Sequence, residues 1–357
     1  MKDLSKLKYL FVFSVVAVGY AGFILRGPWT WALPIYAYAV VPLIELMNGG
    51  SAKNMSKAEE DVARKSRFYD MVVYIIVPLP WAMYIHFMFA IQTPGLQNYE
   101  IAGMIVSMGI GCGAFGINVA HELGHRHKWY EQWMSKILLL SAQYMHFFIE
   151  HNRGHHSNVS TENDPATSRY GEVVYSFIFR SVIGGYISAW KIESARLKKM
   201  GKPLLHWSNQ MIFFAICQIA VMVLIAMIFN IWVMAAALAA SVVGFVLLEV
   251  VNYIEHYGLL RHSSNGRFKR VMPIHSWNSN HPMGRLLLFE LSRHSDHHYM
   301  ASRPYQILRN FEDSPQMPTG YPGMIVLALI PPLWFAVMNP RVKALQKRYP
   351  DDLRVAQ

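Results

Sequence analysis

Residues 101–125 read IAGMIVSMGIGCGAFGINVA-HELGH, a run with no charged side chain up to Ala120 that passes directly into His121, Glu122 and His125. Roughly 20 apolar residues are what a helix needs to cross the hydrocarbon of a bilayer. Histidines four apart then fall on one face of that helix, the spacing of a pair of metal ligands. The segment therefore predicts a membrane-crossing helix that ends in a candidate metal-binding turn.

Comparable uncharged runs occupy 9–25, 27–44, 71–91, 211–229 and 231–248, so six spans are expected. A single such run could be a buried helix of a soluble protein, but six in one chain of 357 residues, 53% apolar and 15% charged, could not. The first run follows lysines as a signal peptide would. No small-residue cleavage site follows it, and it reads as a retained helix. With a cytoplasmic N-terminus, the external loops are 26–28, 92–100 and Asn230, and Arg26 is the only one of the 33 Lys and Arg residues they contain. That asymmetry places both termini in the cytoplasm. It also explains the net charge of +11 without nucleic acid: basic side chains on one face suit anionic lipid and an acidic protein partner. The two cysteines, Cys112 and Cys217, both lie in apolar runs and exclude a disulfide framework, a zinc ribbon or an iron–sulfur ligand set.

The expected fold class is an all-α integral membrane protein with a cytoplasmic histidine-rich region. Residues 1–120 form four spans in two hairpins, 121–209 a cytoplasmic helical section, 210–250 a third hairpin, and 251–357 a cytoplasmic tail. Nothing repeats. The polar stretch 48–70 reads as a surface linker or short amphipathic helix without chemistry. In the tail, 323–338 is apolar but short and broken by Pro331-Pro332, which suits a re-entrant or interfacial segment. Gly103, Gly109, Gly111, Gly113 and Gly116 in the fourth run let helices approach closely, or leave room for a slender apolar substrate.

Fifteen of the 16 histidines, all but His86, fall outside the apolar runs. After His121 and His125 comes His151-Asn152-Arg153-Gly154-His155-His156, where His151 and His155 share an α-helical face and His156 points about 100° away. His294-Ser295-Asp296-His297-His298 pairs His294 with His297 and His298 at i, i+3 and i, i+4, and His256 stands just past the sixth run. Three such clusters on one membrane face point to metal, and their number exceeds the ligand capacity of a single ion. Imidazole suits iron, copper, zinc and nickel alike. His121-Glu122-Leu123-Gly124-His125 by itself also matches the signature of zinc proteases with Glu122 as general base, but that reading leaves the other clusters unexplained. A metal transporter would place its ligands near the bilayer midplane. A soluble-type di-iron bundle would repeat the Glu-x-x-His spacing found only at Glu122 to His125.

The chain resembles the membrane-bound alkane 1-monooxygenase family of the histidine-box di-iron superfamily over most of its length. The resemblance is carried by 121–125, 150–156, 163–169, 252–260, 275–281 and 293–298. It implies two non-haem irons held by His121, His125, His151, His155, His156, His256, His294, His297 and His298, with dioxygen as oxidant. Electrons would come from a separate rubredoxin served by its reductase, since the chain carries no rubredoxin domain. The implied reaction is hydroxylation of the terminal methyl of medium-chain alkanes, drawn from the lipid of a bacterial inner membrane, to 1-alkanols. Rival substrates within the superfamily are xylene-type alkyl aromatics and fatty-acyl chains, the latter hydroxylated or desaturated. A homo-oligomer is left open. Glu122, Asp164, Glu255 and Asp296 are candidate carboxylate partners for ligand imidazoles, and His275 and His281 candidates for a supporting or folding role.

Overall fold

The computed structural model describes Leu4–Ser264 and Arg267–Arg354. Six helices in it are long and apolar enough to span a membrane: Lys6–Leu25, Gly27–Asn48, Arg67–Ala90, Asn98–Gly124, Gln210–Ile228 and Ile231–His256. These are the six expected, and the all-α class holds. Among the described residues strands occur only as two-residue pairs, Leu260–Arg261 antiparallel to Leu353–Arg354 and Ser263–Ser264 antiparallel to Arg267–Phe268.

The fourth and sixth helices outrun their apolar stretches, to Gly124 and His256. Hydropathy stops where polar side chains begin, but the backbone continues its ladder because those side chains are buried with partners; Asn252 Nδ2, for example, donates to Glu249 Oε2 at 3.2 Å. The first histidine pair and His256 thus ride on rigid span ends rather than on loops.

The chain divides into two compact units. The first comprises residues up to Val40, Ser66–Glu150 and Ala189–Leu248. Its helices pack through small residues and interhelical hydrogen bonds, as helices must where lipid offers no hydrophobic contrast. Tyr84 Oη donates to the Ala237 carbonyl at 2.9 Å, and Ser107 Oγ to that of Thr30 at 2.7 Å. A Cβ at Gly109 would lie 2.4 Å from Val243 Cβ and 2.9 Å from the Ala240 carbonyl. The glycine secures helix contact; the space that the substrate-lane alternative requires there is filled by Val243.

The second unit comprises Val41–Lys65, His151–Ser188 and everything from Glu249 onward. Its apolar tail segment is two helices, Tyr321–Ala328 and Pro331–Arg348, bent by 119° at the expected proline break. Trp334 packs between Tyr253 and Tyr257, with ring centroids 5.1 and 5.2 Å away, and anchors this bend to the end of the sixth helix. The 48–70 linker does more than connect: within it Lys57–Lys65 is helical, and buried Glu60 pairs with Arg309.

Gly109→Ala should lower stability by about 1–3 kcal/mol through overpacking against Val243. It should appear as a lower unfolding midpoint in detergent, recovered in part by adding Val243→Ala.

Candidate metal centre

Glu150–His155 is a turn of π-helix, whose i to i+5 bonding replaces the α-helical i to i+4 pattern. The consequence refines the sequence reading of this cluster, in which the His151 and His155 rings still stack, centroids 5.1 Å apart. His151 meets His156, five residues on, with the Nε2 atoms 3.0 Å apart, and His297 Nε2 lies 3.0 Å from His156 Nε2. His155 instead turns its Nε2 to that of His298 at 3.2 Å. Adjacent His155 and His156 therefore face two different sets of donors. The short helix His294–Tyr299 is divided likewise: His298 Nε2 meets His294 Nε2 at 2.8 Å, while His297 belongs with His156.

His155, His256, His294 and His298 form a closed, fully buried group whose ligand atoms all lie within 4.8 Å of one another. His256 Nε2 is 3.2 Å from His294 Nε2. Burial, and then the neighbouring imidazoles, push the His298 pKa well below its ordinary value, so the ring stays neutral and one of its nitrogens keeps a lone pair. Imidazole nitrogens gathered this closely have the spacing of donors around a shared cation. For a metal–nitrogen bond of about 2.1 Å, donors at right angles sit about 3 Å apart. The donor set fits a resident transition-metal ion.

Asp164 stands against the outward nitrogen of His155. Its Oδ2 lies 2.9 Å from His155 Nδ1 and accepts from Thr167 Oγ1 at 2.6 Å, and its Oδ1 accepts from the Ala166 amide at 3.1 Å. Burial alone would raise its pKa; its interaction with His155 and the hydrogen bond from Thr167 hold it below the usual carboxylate range. A proton fixed on Nδ1 leaves the Nε2 lone pair of His155 directed inward.

The other three carboxylates differ from expectation. Glu255 Oε2 stands 3.2 Å from His294 Nε2, on the inner side of the group rather than behind a ligand ring. Asp296 Oδ2 accepts from Arg303 Nη1 and from the Arg309 amide, both at 2.7 Å, and so braces the loop after the helix. Glu122 pairs with Arg126 at 3.0 Å, and that guanidinium also binds Asp70 and Glu131. A carboxylate held in such an array is a poor general base, which weighs against the protease alternative. Beside it, His121 and His125 keep the expected pairing at the end of the fourth helix, ring centroids 4.9 Å apart.

The second unit also relies on a residue of the 293–298 stretch to which the sequence reading assigned no role. Arg293, one position before the first histidine of its helix, donates to the carbonyls of Leu308 at 2.7 Å and Lys53 at 2.8 Å. The 48–70 linker thereby fastens the start of the histidine helix.

His275 and His281 support loops, not metal ligands. His281 Nδ1 is 3.0 Å from Ser279 Oγ. His275 Nδ1 accepts from the Met272 amide at 2.9 Å, and its Nε2 lies 3.2 Å from the Asp352 carbonyl, a contact that needs a proton on Nε2 and a neutral ring. Burial, first among the causes, lowers its pKa to about 4. In the unfolded chain the ring protonates near pH 6.5. Its contribution is therefore complete above about pH 6.5 and lost as pH falls toward 4. A pH series of unfolding midpoints should fall across this window, and His275→Gln should flatten that limb while lowering the midpoint at pH 8.

The model of the fatty acid desaturase family matches residues 99–328. The chain is 41% identical to alkane 1-monooxygenase 2 of Pseudomonas aeruginosa over 321 residues, 88% of this chain and 85% of that protein. It is 37% identical to alkane 1-monooxygenase of Ectopseudomonas oleovorans, over 95% and 86% of the two chains. The hydroxylase component of xylene/toluene monooxygenase from Pseudomonas putida is more distant, 28% identical over 97% and 91%. With the six spans and the histidine groups already placed, these likenesses show that the chain belongs to the alkane 1-monooxygenase family, within the wider fatty acid desaturase family.

Proposed function

We propose that this protein is a non-haem di-iron monooxygenase that hydroxylates the terminal methyl of medium-chain alkanes. Its oxidant is dioxygen and its electrons come from a separate rubredoxin. The observation that carries the reading is the closed, buried group of four imidazoles in a chain 41% identical to a named alkane 1-monooxygenase. Nine histidines hold the two irons. Of these, His155, His256, His294 and His298 bind one iron together. Iron bound there supplies activation of dioxygen for insertion of one oxygen atom into a C–H bond.

The protein's own contribution is to prepare and shield that centre. Asp164 keeps the His155 proton on Nδ1. Glu255 places a carboxyl oxygen 3.2 Å from His294 Nε2, beside the same donors. Burial of the whole group excludes bulk water, which strengthens every electrostatic interaction inside it. An alkane offers nothing to hydrogen-bond, so selection rests on shape and desolvation, with substrate arriving from lipid between the apolar spans. Orientation in a bacterial inner membrane with both termini cytoplasmic follows from the one-sided Lys and Arg. The likeness to the xylene/toluene hydroxylase component supports alkyl aromatics as the second reading.

The test is metal analysis of the detergent-purified protein, followed by turnover of octane with rubredoxin, its reductase, reduced nicotinamide cofactor and oxygen. Two irons per chain and 1-octanol are expected. One zinc and no oxygen uptake would overturn the proposal, whereas two irons with product from xylene alone would move the substrate to alkyl aromatics. Asp164→Asn should weaken iron retention against a chelator by about 10–100-fold, since it removes the acceptor that fixes the His155 tautomer.

A further inference from the structure

The helix Val174–Lys199 is not among the spans, since Arg180 and Lys191 interrupt it. In its 174–188 part, one face is nevertheless exposed and apolar: Tyr175, Phe179, Ile183, Tyr186 and Ile187, at i, i+4, i+8, i+11 and i+12. Such a stripe ordinarily turns inward. Here it cannot, because the opposite face is already fixed. Phe177 packs on Tyr253, ring centroids 5.4 Å apart. Arg180 donates to the carbonyls of Pro165 and Thr167 at 3.0 Å and grips Glu172. A Cβ at Gly184 would stand 2.9 Å from Pro165, so the helix lies directly on the loop that carries Asp164.

The stripe continues onto a second exposed apolar surface of the same unit. Tyr175 Oη donates to the Leu329 carbonyl at 2.7 Å, and Val326, Leu329, Ile330 and Leu333 around the bend are exposed as well. Beyond that bend the exposed side chains of Pro331–Arg348 change to Arg341, Lys343, Lys347 and Arg348. Apolar side chains beside clustered basic ones, in a unit that also contains the histidine-bearing end of the sixth span, match the boundary between acyl chains and anionic headgroups.

We infer that 174–188 is an in-plane interfacial helix, its Tyr175–Phe179–Ile183–Ile187 stripe seated in the bilayer beside the bent tail helices rather than standing in water. The occupant of this face is lipid. The inference does not depend on the substrate or metal assignments.

Nitroxide labels at Phe179→Cys and Ile183→Cys, in a Cys217→Ser background and in nanodiscs containing anionic lipid, read the position directly. Lys347→Cys serves as the water-exposed reference, and each labelled protein is first checked for an unchanged unfolding midpoint. Both stripe labels should collide with dissolved oxygen several-fold more, relative to a water-soluble nickel chelate, than the label at 347. A ratio equal to that at 347 would overturn the inference. So would low collision with both reagents, which would mean that protein, such as a second copy of the chain, covers the stripe. Should either substitution lower the midpoint, quenching of a probe at Ile187→Cys by lipids brominated along the acyl chain decides the same question: quenching supports the seat in lipid and its absence overturns it.

Discussion

Imidazole nitrogens that face one another at 2.8–3.2 Å in a buried site are the constraint around which the rest of the second unit is arranged. The Nε2 atoms of the rings face inward, and burial keeps bulk water from separating them. A neutral donor set of this kind is stable when a cation sits among it and when the outward nitrogens have acceptors that fix the tautomer. Asp164 meets that requirement for His155, and the Thr167 hydroxyl and Ala166 amide in turn fix Asp164. The loop is then held by Arg180 from the helix behind it. Precision at the ligands is thus inherited through successive layers of hydrogen bonds.

Division of the histidines between two sets depends on local helix geometry. In an α-helix, His151 and His155 would share a face. The π-turn at Glu150–His155 widens the register by one residue, pairs His151 with His156 and frees His155 for the other set. A single inserted π-turn places neighbours in sequence in different histidine groups, a device that recurs at functional sites because it re-aims side chains without breaking the helix.

Long-range polar ties bind the remaining pieces. Glu60 and Arg309 are far apart in sequence yet paired, and Arg293 reaches the backbone at Lys53. Asp296 lies among the histidines but serves Arg303 and the Arg309 amide. Its burial is tolerable because each charge meets an opposite charge or a hydrogen bond. The linker and the loop that follows the histidine helix are in this way structural partners of that helix.

Six spans, the all-α class and the histidine candidates were legible in the chain, because hydrophobic length and ligand spacing are local properties that a helix of known pitch converts directly into position. His121 with His125 and His294 with His298 follow that rule. The π-turn at 150–155 does not, since nothing in the residues Glu150 to His155 distinguishes i+4 from i+5 bonding until the surrounding packing selects it. Nor could the sequence say that Glu255 faces inward, that Glu122 is held by Arg126, or that the 48–70 linker closes on Arg293. Those outcomes rest on contacts between residues dozens to hundreds of positions apart, whose energies exist only once the helices have brought them within a few ångströms.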